Sequence, residues 1–318
     1  MNVHEVDLTI SPDEQVNEQQ IDESADKGGP FVGGDIPEPA YRQIADILRQ
    51  QQNFALDGYK DLCIKRRIAA RIRAVGLDHP EPYIELLTTS EQEQQQLLTA
   101  LSIHVSHFFR NPSTFRMLEN RVLPELAAKA REQKAKLRLW SVGCANGEEP
   151  YSLALLCLKS LRESDPLTII GTDLSPAALQ RAKRGCYDAS RVEEVSAKLR
   201  EEFFVMRGKD YCLNDRVRKI VRFFRHDILS DQPFYRADLI LCRNVLIYFS
   251  REQQQRILQI LAAALPPGGF LVLGRAETLV TACRELFRCI DPAERIYQRL
   301  ETDEQLLPTS LVQQLQDF

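Results

Sequence analysis

The stretch Leu137–Leu158, LRLWSVGCANGEEPYSLALLCL, decides how the rest of the chain is read. Its first six residues form a short, mostly apolar run, the pattern of a buried strand. Gly143, Ala145 and Gly147 then break the run with small, turn-forming residues. From Glu148 onward the spacing is helical, with Pro150 in the first turn, where a missing N–H leaves no helix bond unmade. A strand that passes through a small-residue turn directly into a helix is a unit of an open α/β sheet. Such a turn lets backbone N–H groups approach a ligand closely.

Working outward, the same grammar continues. LTIIGTD (167–173) reads as a strand. SPAALQRAKRG (175–185) reads as a helix with Ser175 as N-cap, Pro176 at its first position and Gly185 at its end. VRFFRHDI (221–228), ADLILCRN (237–244) and FLVLG (270–274) read as strands, and ERIYQRL (294–300) as a late one. SREQQQRILQILAAAL (250–265) is a helix capped by Ser250 and stopped by PPGG. Short apolar strands alternating with helices predict a doubly wound, mostly parallel sheet. No strand–helix unit is visible between Gly185 and Val221, where YCLNDRVRKI (211–220) is expected to form a small inserted hairpin. Upstream, residues 38–130 are helical in pattern. One helix buries Tyr41, Ile44, Ala45, Ile47 and Leu48. Another carries an apolar stripe of Leu62, Ile68, Ala69, Ile72 and Val75, flanked by Lys65, Arg66, Arg67, Arg71 and Arg73 and stopped by Gly76.

The expected organisation is therefore an acidic tail and linker (1–37), a helical domain (38–130), an α/β domain (131–300) with an insert at about 186–222, and a C-terminal tail (301–318). The tail carries Glu5, Asp7, Asp13, Glu14, Glu18, Asp22, Glu23 and Asp26, with no Lys or Arg before Lys27, and reads as disordered. With 318 residues, 44% of them hydrophobic, and a net charge of −4, the chain has enough apolar residues for a large core and no electrostatic signature of nucleic-acid binding. No apolar run is long enough to span a bilayer, and the N-terminus lacks signal-peptide character, so a cytoplasmic location is expected. The eight cysteines show no CxxC pair, and several lie in apolar runs. Buried reduced thiols are expected rather than disulfides or a metal site.

In open parallel sheets, ligands bind at the carboxyl ends of the strands near the switch point. The Gly143–Gly147 turn ends one strand there. Asp173 ends another and suits a ribose diol. The turn is not a GxGxxG fingerprint, and carboxylates at a helix start repel a pyrophosphate. Glu148 and Glu149 instead suit a cationic ligand without phosphate, which describes S-adenosylmethionine. The alternative is that both simply complement the helix dipole, and this is stronger for Glu148 than for Glu149.

HVSHFFRNPSTF (104–115), WSVGCANGEEPYSLA (140–154), IIGTDLSPAALQRAKRGCY (169–187), ADLILCRNVLIYFS (237–250) and LPPGGFLVLGRAETL (265–279) occur in order. Together they resemble the chemotaxis receptor glutamate O-methyltransferases, the CheR family, over residues 38–300. The resemblance implies a helical domain followed by a class I S-adenosylmethionine-dependent methyltransferase sheet, Rossmann-like, with a small β-subdomain insert. It implies that Ser106 and Arg110 contact the cofactor, with His104 where the family usually has Asn. It implies Glu149 for the methionine part, Asp173 for the ribose, and Asp227 and Ile228 beside the adenine, Asp227 replacing the usual Asn. Arg243 and Asn244 line the methionine side, and Arg110 and Tyr248 place the substrate carboxylate. Arg275 in GRAE stands where GHSE is commoner. Phe108 and Phe109 are expected in the core, and Cys144 and Cys242 are expected to be inert.

The implied reaction is methylation of chemoreceptor glutamates, giving methyl esters and S-adenosylhomocysteine. The implied partner is the receptor's cytoplasmic helical bundle, docked through Lys65–Arg73, and the enzyme is expected to be a monomer. The compact 207–224 segment predicts no tether to a receptor tail. The alternatives are a methyltransferase acting on a non-chemotaxis signalling partner, or a degenerate module that only binds the cofactor.

Overall fold

Residues 36–52, 54, 56, 61–101, 106–231 and 236–301 are described in the computed structural model. The expectations for the acidic tail, the C-terminal tail and His104 fall outside the described residues.

Four helices form the N-terminal unit: α1 (Glu38–Gln52), α2 (Asp61–Ala74), α3 (Pro80–Thr89) and α4 (Glu91–Leu101). Their apolar stripes close on one another, burying Ile44, Leu48, Ile64, Ile68, Ile72, Leu87 and Leu97 in a core of their own. The basic side of α2 is less free than its sequence implies. Arg71 grips buried Glu93 with two bonds of 2.8 and 2.6 Å, and Tyr83 donates to the same carboxylate at 2.8 Å. Lys65 pairs with Glu38 at 2.8 Å, and Arg67 donates to the Leu101 carbonyl. Only Arg66 and Arg73 of the five are exposed. A buried carboxylate needs donors, and α2 faces one, so part of the Lys65–Arg73 cluster is engaged within the helical unit.

Next come α5 (Pro112–Met117), a single wide helical turn at Leu118–Val122, and α6 (Leu123–Glu132). Phe108, Phe115, Leu118, Val122 and Leu126 pack into the core of the sheet and not among α1–α4. By packing, then, the α/β unit begins near Ser106, well before residue 131.

The sheet unit continues with β1 (Leu137–Val142), α7 (Glu148–Ser160), β2 (Leu167–Asp173) and α8 (Pro176–Arg184). The Ser175 hydroxyl accepts from Ala178 N–H at 3.2 Å, and Gly185 closes α8 at φ 62°, both as expected. The insert follows: β3 (Cys186–Tyr187), α9 (Ala197–Phe203), β4 (Phe204–Arg207), β5 (Asp210–Leu213) and α10 (Asp215–Arg218). The main sheet resumes with β6 (Val221–Arg225), β7 (Leu239–Cys242), α11 (Arg251–Ala264), β8 (Phe270–Leu273), β9 (Phe287–Asp291) and β10 (Ile296–Arg299). Its order is β6-β2-β1-β7-β8-β10-β9. The pairings from β6 through β8 are parallel, while β10 runs antiparallel to both β8 and β9. The chain reverses direction of travel between β1 and β7, which makes that gap the switch point.

Alternation along the strands builds two cores. Leu137 and Leu139 of β1 face the α7 side, whereas Trp140 and Val142 face the α11 side. The period of two then puts Ser141 under the first turn of α7.

In the insert, β3, β5 and β4 form a three-stranded antiparallel sheet. Its hairpin joins Phe204–Arg207 to Asp210–Leu213, so it precedes the expected position, and Asn214–Arg218 is a capped helical turn instead. Asn214 decides this: its side chain accepts from Val217 N–H at 3.3 Å. Val221 and Arg222 belong to β6 and not to the insert. Cys186 and Cys212 are direct partners in the antiparallel register and form a disulfide, with Cα atoms 4.0 Å apart. The expectation of reduced thiols throughout is corrected at this pair. Spacing along the chain gave no sign of it, because strand pairing alone brings residues 26 apart in sequence together.

Candidate active site

The Gly143–Gly147 turn leaves β1 at the switch point. Gly143, Ala145 and Gly147 all have positive φ, at 64°, 50° and 92°. Glycine is needed at both ends. A Cβ at Gly143 would sit 2.7 Å from Val245 Cγ2, and one at Gly147 would sit 2.9 Å from Ala182 Cβ. Ala145 has no such freedom, and its conformation is held from β2: its N–H donates to Asp173 Oδ2 at 2.9 Å. The other oxygen of Asp173 accepts from Ser175 N–H at 2.8 Å. One buried carboxylate thus ties the turn after β1 to the start of α8.

Two adjoining cavities open above this turn and share Gly143, Asn244 and Tyr248. The first is lined by Asp173, Ile228 and Phe249 and is roofed from the helical unit by Phe54, Ile64 and Leu101. The second is lined by Ser106, His107, Arg110, Glu149 and Arg243. Most of the sequence-predicted residues therefore meet in one crevice. Asp227 departs from that pattern. Its Oδ1 accepts from Leu229 N–H at 2.9 Å, so its carboxylate caps its own loop while Ile228 lines the cavity. A short acidic side chain after a strand end is prone to such local capture.

Glu149 is oriented from two sides. Ser141 donates to Oε1 at 2.7 Å, and Arg243 donates to Oε2 at 3.1 Å. Arg243 does more than line the site. Its Nη2 also donates to the Arg110 carbonyl at 2.7 Å and to Asn111 Oδ1 at 2.6 Å, and its guanidinium lies 5.6 Å from the centre of the Phe115 ring. Phe109 and Asn111, on either side of Arg110, have φ of 52° and 61°. Non-glycine residues avoid that region unless the surroundings over-determine it. Arg243 supplies the restraint, so the turn presenting Arg110 is built from the end of β7. Tyr248 sits on the loop after β7, with the guanidinium of Arg67 from α2 over its ring at 4.9 Å.

Glu148 lies on the other side of the helix start, completely buried, paired with Arg191 of the insert. Of the two glutamates, then, only Glu149 faces the crevice. Arg191 also donates to the Ser106 carbonyl at 3.2 Å, and its own carbonyl accepts from Phe108 N–H at 3.1 Å. Burial pushes the Glu148 carboxyl above its usual range, and the Arg191 guanidinium opposes that. An acid whose folded pKa is raised binds its proton more tightly in the native state. Stability therefore falls as pH rises above the unfolded value and through the folded one. Arg191→Ala is expected to destabilise the protein by about 2 kcal/mol near neutrality, the pair being partly solvent-screened, and to steepen that loss with pH. Urea unfolding at about pH 5 and about pH 8 checks it. An equal effect at both values would contradict the assignment.

Burial keeps the thiols of Cys144 and Cys242 well above their usual range, so both stay protonated and inert, as expected. Phe108 and Phe109 are core residues, also as expected. Sequence reasoning missed Ser141, His107, Arg191 and the structural role of Arg243. The alternation of β1 could have singled out Ser141; the other three depend on contacts between elements distant in sequence.

The crevice fits a nucleoside with a cationic amino-acid end. It offers carboxylates at Glu149 and Asp173, an apolar wall at Ile228 and Phe249, and a turn that no side chain fills. Fold and crevice together define an S-adenosylmethionine-dependent methyltransferase. Residues 39–102 match the family model described as "CheR methyltransferase, all-alpha domain", and residues 104–296 match "CheR methyltransferase, SAM binding domain". The chain belongs to the CheR methyltransferase family. It is 37% identical to a "Chemotaxis protein methyltransferase" of Listeria monocytogenes over 245 residues, covering 76% of this chain and 91% of that one. An uncharacterized 104.1 kDa protein of Rhodobacter capsulatus is 34% identical over 283 residues, 88% of this chain but 29% of that one. Among solved structures, an S-adenosylmethionine-dependent methyltransferase from Thiobacillus denitrificans in complex with S-adenosyl-L-homocysteine is 20% identical. That match has a TM-score of 0.31 and covers 55% of this chain and 51% of the other.

Proposed function

We propose that this protein methylates glutamate side chains on the cytoplasmic domain of a chemoreceptor, acting as a monomer on the cytoplasmic side. The observation that carries the reading is that Arg110 and Tyr248 both line the cavity that also holds Glu149. An arginine fork and a phenol are the donors that suit an acceptor carboxylate. In this reading Asp173 and Glu149 hold the ribose and the amino group of S-adenosylmethionine, Ile228 supports the adenine, and Ser106, Asn244 and Arg243 complete the walls. When bound, S-adenosylmethionine supplies a methyl carbon already activated by its sulfonium.

The chain's own task is then positional. A glutamate side chain has an unperturbed pKa of about 4.3, so it is ionised near neutrality and needs no general base. Arg110 and Tyr248 orient one oxygen and strip part of its water. Holding reactants in line supplies on the order of 7–11 kcal/mol. The ester is neutral, so the charge-assisted hold of Arg110 ends with the reaction and favours product release. Docking through the exposed Arg66 and Arg73 suits an acidic helical partner. The relatives named as chemotaxis protein methyltransferases support the same choice of partner.

The test is methyl transfer from labelled cofactor to a receptor cytoplasmic domain, with the modified residues located by mass spectrometry. Base-labile label on glutamates is expected, with Arg110→Ala slower by about 1,000-fold. Label on another residue type, or unchanged turnover in Arg110→Ala, would refute the reading.

A further inference from the structure

Glu277 is 4% exposed, and nothing in the reaction outlined above uses it. Its Oε2 accepts from the N–H groups of Asn244 at 2.9 Å and Gly274 at 2.6 Å, and its Oε1 accepts from Ile247 N–H at 3.3 Å. Its own N–H donates to the Gly274 carbonyl at 2.8 Å, closing a tight turn after β8. A Cβ at Gly274 would lie 2.6 Å from Oε2, so the approach of carboxylate to backbone depends on that glycine.

The donors are informative by their location. Two of the three sit on the loop between β7 and α11 that carries Tyr248. Asn244, the first of them, is held at φ 58°, a conformation a non-glycine residue keeps only under restraint. Ile247 is the residue directly before Tyr248. The carboxylate therefore pins both ends of the segment that aims the phenol into the crevice. A role confined to packing would be better served by an apolar side chain, since burying a carboxylate is costly unless its bonds are needed.

We propose that Glu277 is a positioning residue for methyl transfer, fixing Tyr248 and, through it, the acceptor carboxylate. The proposal rests on the assignment of Tyr248 as a substrate-placing residue. Arg243 plays the matching part for Arg110, so the two substrate-facing side chains sit on restrained loops clamped by two different buried charges.

The experiment is a double-mutant cycle of Glu277→Gln and Tyr248→Phe, read as kcat and KM for a receptor cytoplasmic domain, with S-adenosylhomocysteine calorimetry reporting a folded cofactor site. Glu277→Gln is expected to lower kcat by about 10- to 100-fold while cofactor affinity stays near the parent value. The double variant should be no slower than Tyr248→Phe alone. Independent, multiplying losses would overturn the proposal, because Glu277 would then act elsewhere. A Tyr248→Phe enzyme running at the parent rate beside a slow Glu277→Gln would instead mark failure of the Tyr248 assignment, and the proposal would fall with it. Should Glu277→Gln lose cofactor binding altogether, Glu277→Asp, which keeps the charge on a shorter arm, carries the same cycle.

Discussion

Asp173→Ala is expected to weaken binding of S-adenosylhomocysteine by about 100-fold or more, as read by calorimetry. The carboxylate holds Ala145 N–H and Ser175 N–H at 2.9 and 2.8 Å, and it lines the first cavity. Hydrogen bonds to a charged group contribute about 1.5–3 kcal/mol each, and losing a pair also releases Ala145 from its positive φ. The turn after β1 would relax, so the deficit exceeds the loss of a ribose contact alone. Asp173→Asn keeps one acceptor oxygen and should fall between the two. Parent-like affinity in Asp173→Ala would mean that the cofactor lies elsewhere.

Replacing Arg243 by Ala should cost both stability and turnover. The side chain is 2% exposed and serves Glu149, the Arg110 carbonyl and Asn111 together. Its removal leaves Glu149 without its cationic partner in a site only 13% exposed, and breaking a buried pair costs about 3–5 kcal/mol. Denaturant midpoints check that figure. Arg243→Lys separates the two effects. An ammonium restores charge beside Glu149 but cannot spread three bonds in the guanidinium plane. Stability should therefore recover in part while kcat stays depressed by at least about 10-fold, because the Arg110 turn is still unrestrained. Full activity in Arg243→Lys would contradict the strut role.

The sheet was legible because its signals are local. Apolar runs such as LILC and FLVL, the Ser175 and Ser250 caps, and Gly185 each announce themselves within a few residues, and all fall where expected. β9 was not anticipated: FRCID places Arg288 and Cys289 at exposed positions on an edge strand, so no apolar run marks it. The crevice residues Glu149 and Asp173 were legible because a small-residue turn and a strand end define them in one dimension, whereas Asn244 and Ile228 came only with the resemblance to the CheR family. The clamps were not. Arg243 meets residues more than 90 positions away, Arg191 reaches Glu148 from the insert, and Glu277 acts from the turn after another strand. The sequence marks neither Arg191 nor Glu277, and the bracing role of Arg243 emerges only when the sheet closes around it. The Cys186–Cys212 pairing was hidden for the same reason, since only the register of β3 against β5 reveals it.

The most direct check on the cofactor crevice is a crystal structure grown with S-adenosylhomocysteine. The prediction is a ribose diol on Asp173, an amino group on Glu149 and a purine against Ile228, beneath the roof formed by Phe54, Ile64 and Leu101. A nucleoside bound elsewhere at saturating concentration, or a crevice closed by its own side chains, would contradict the account.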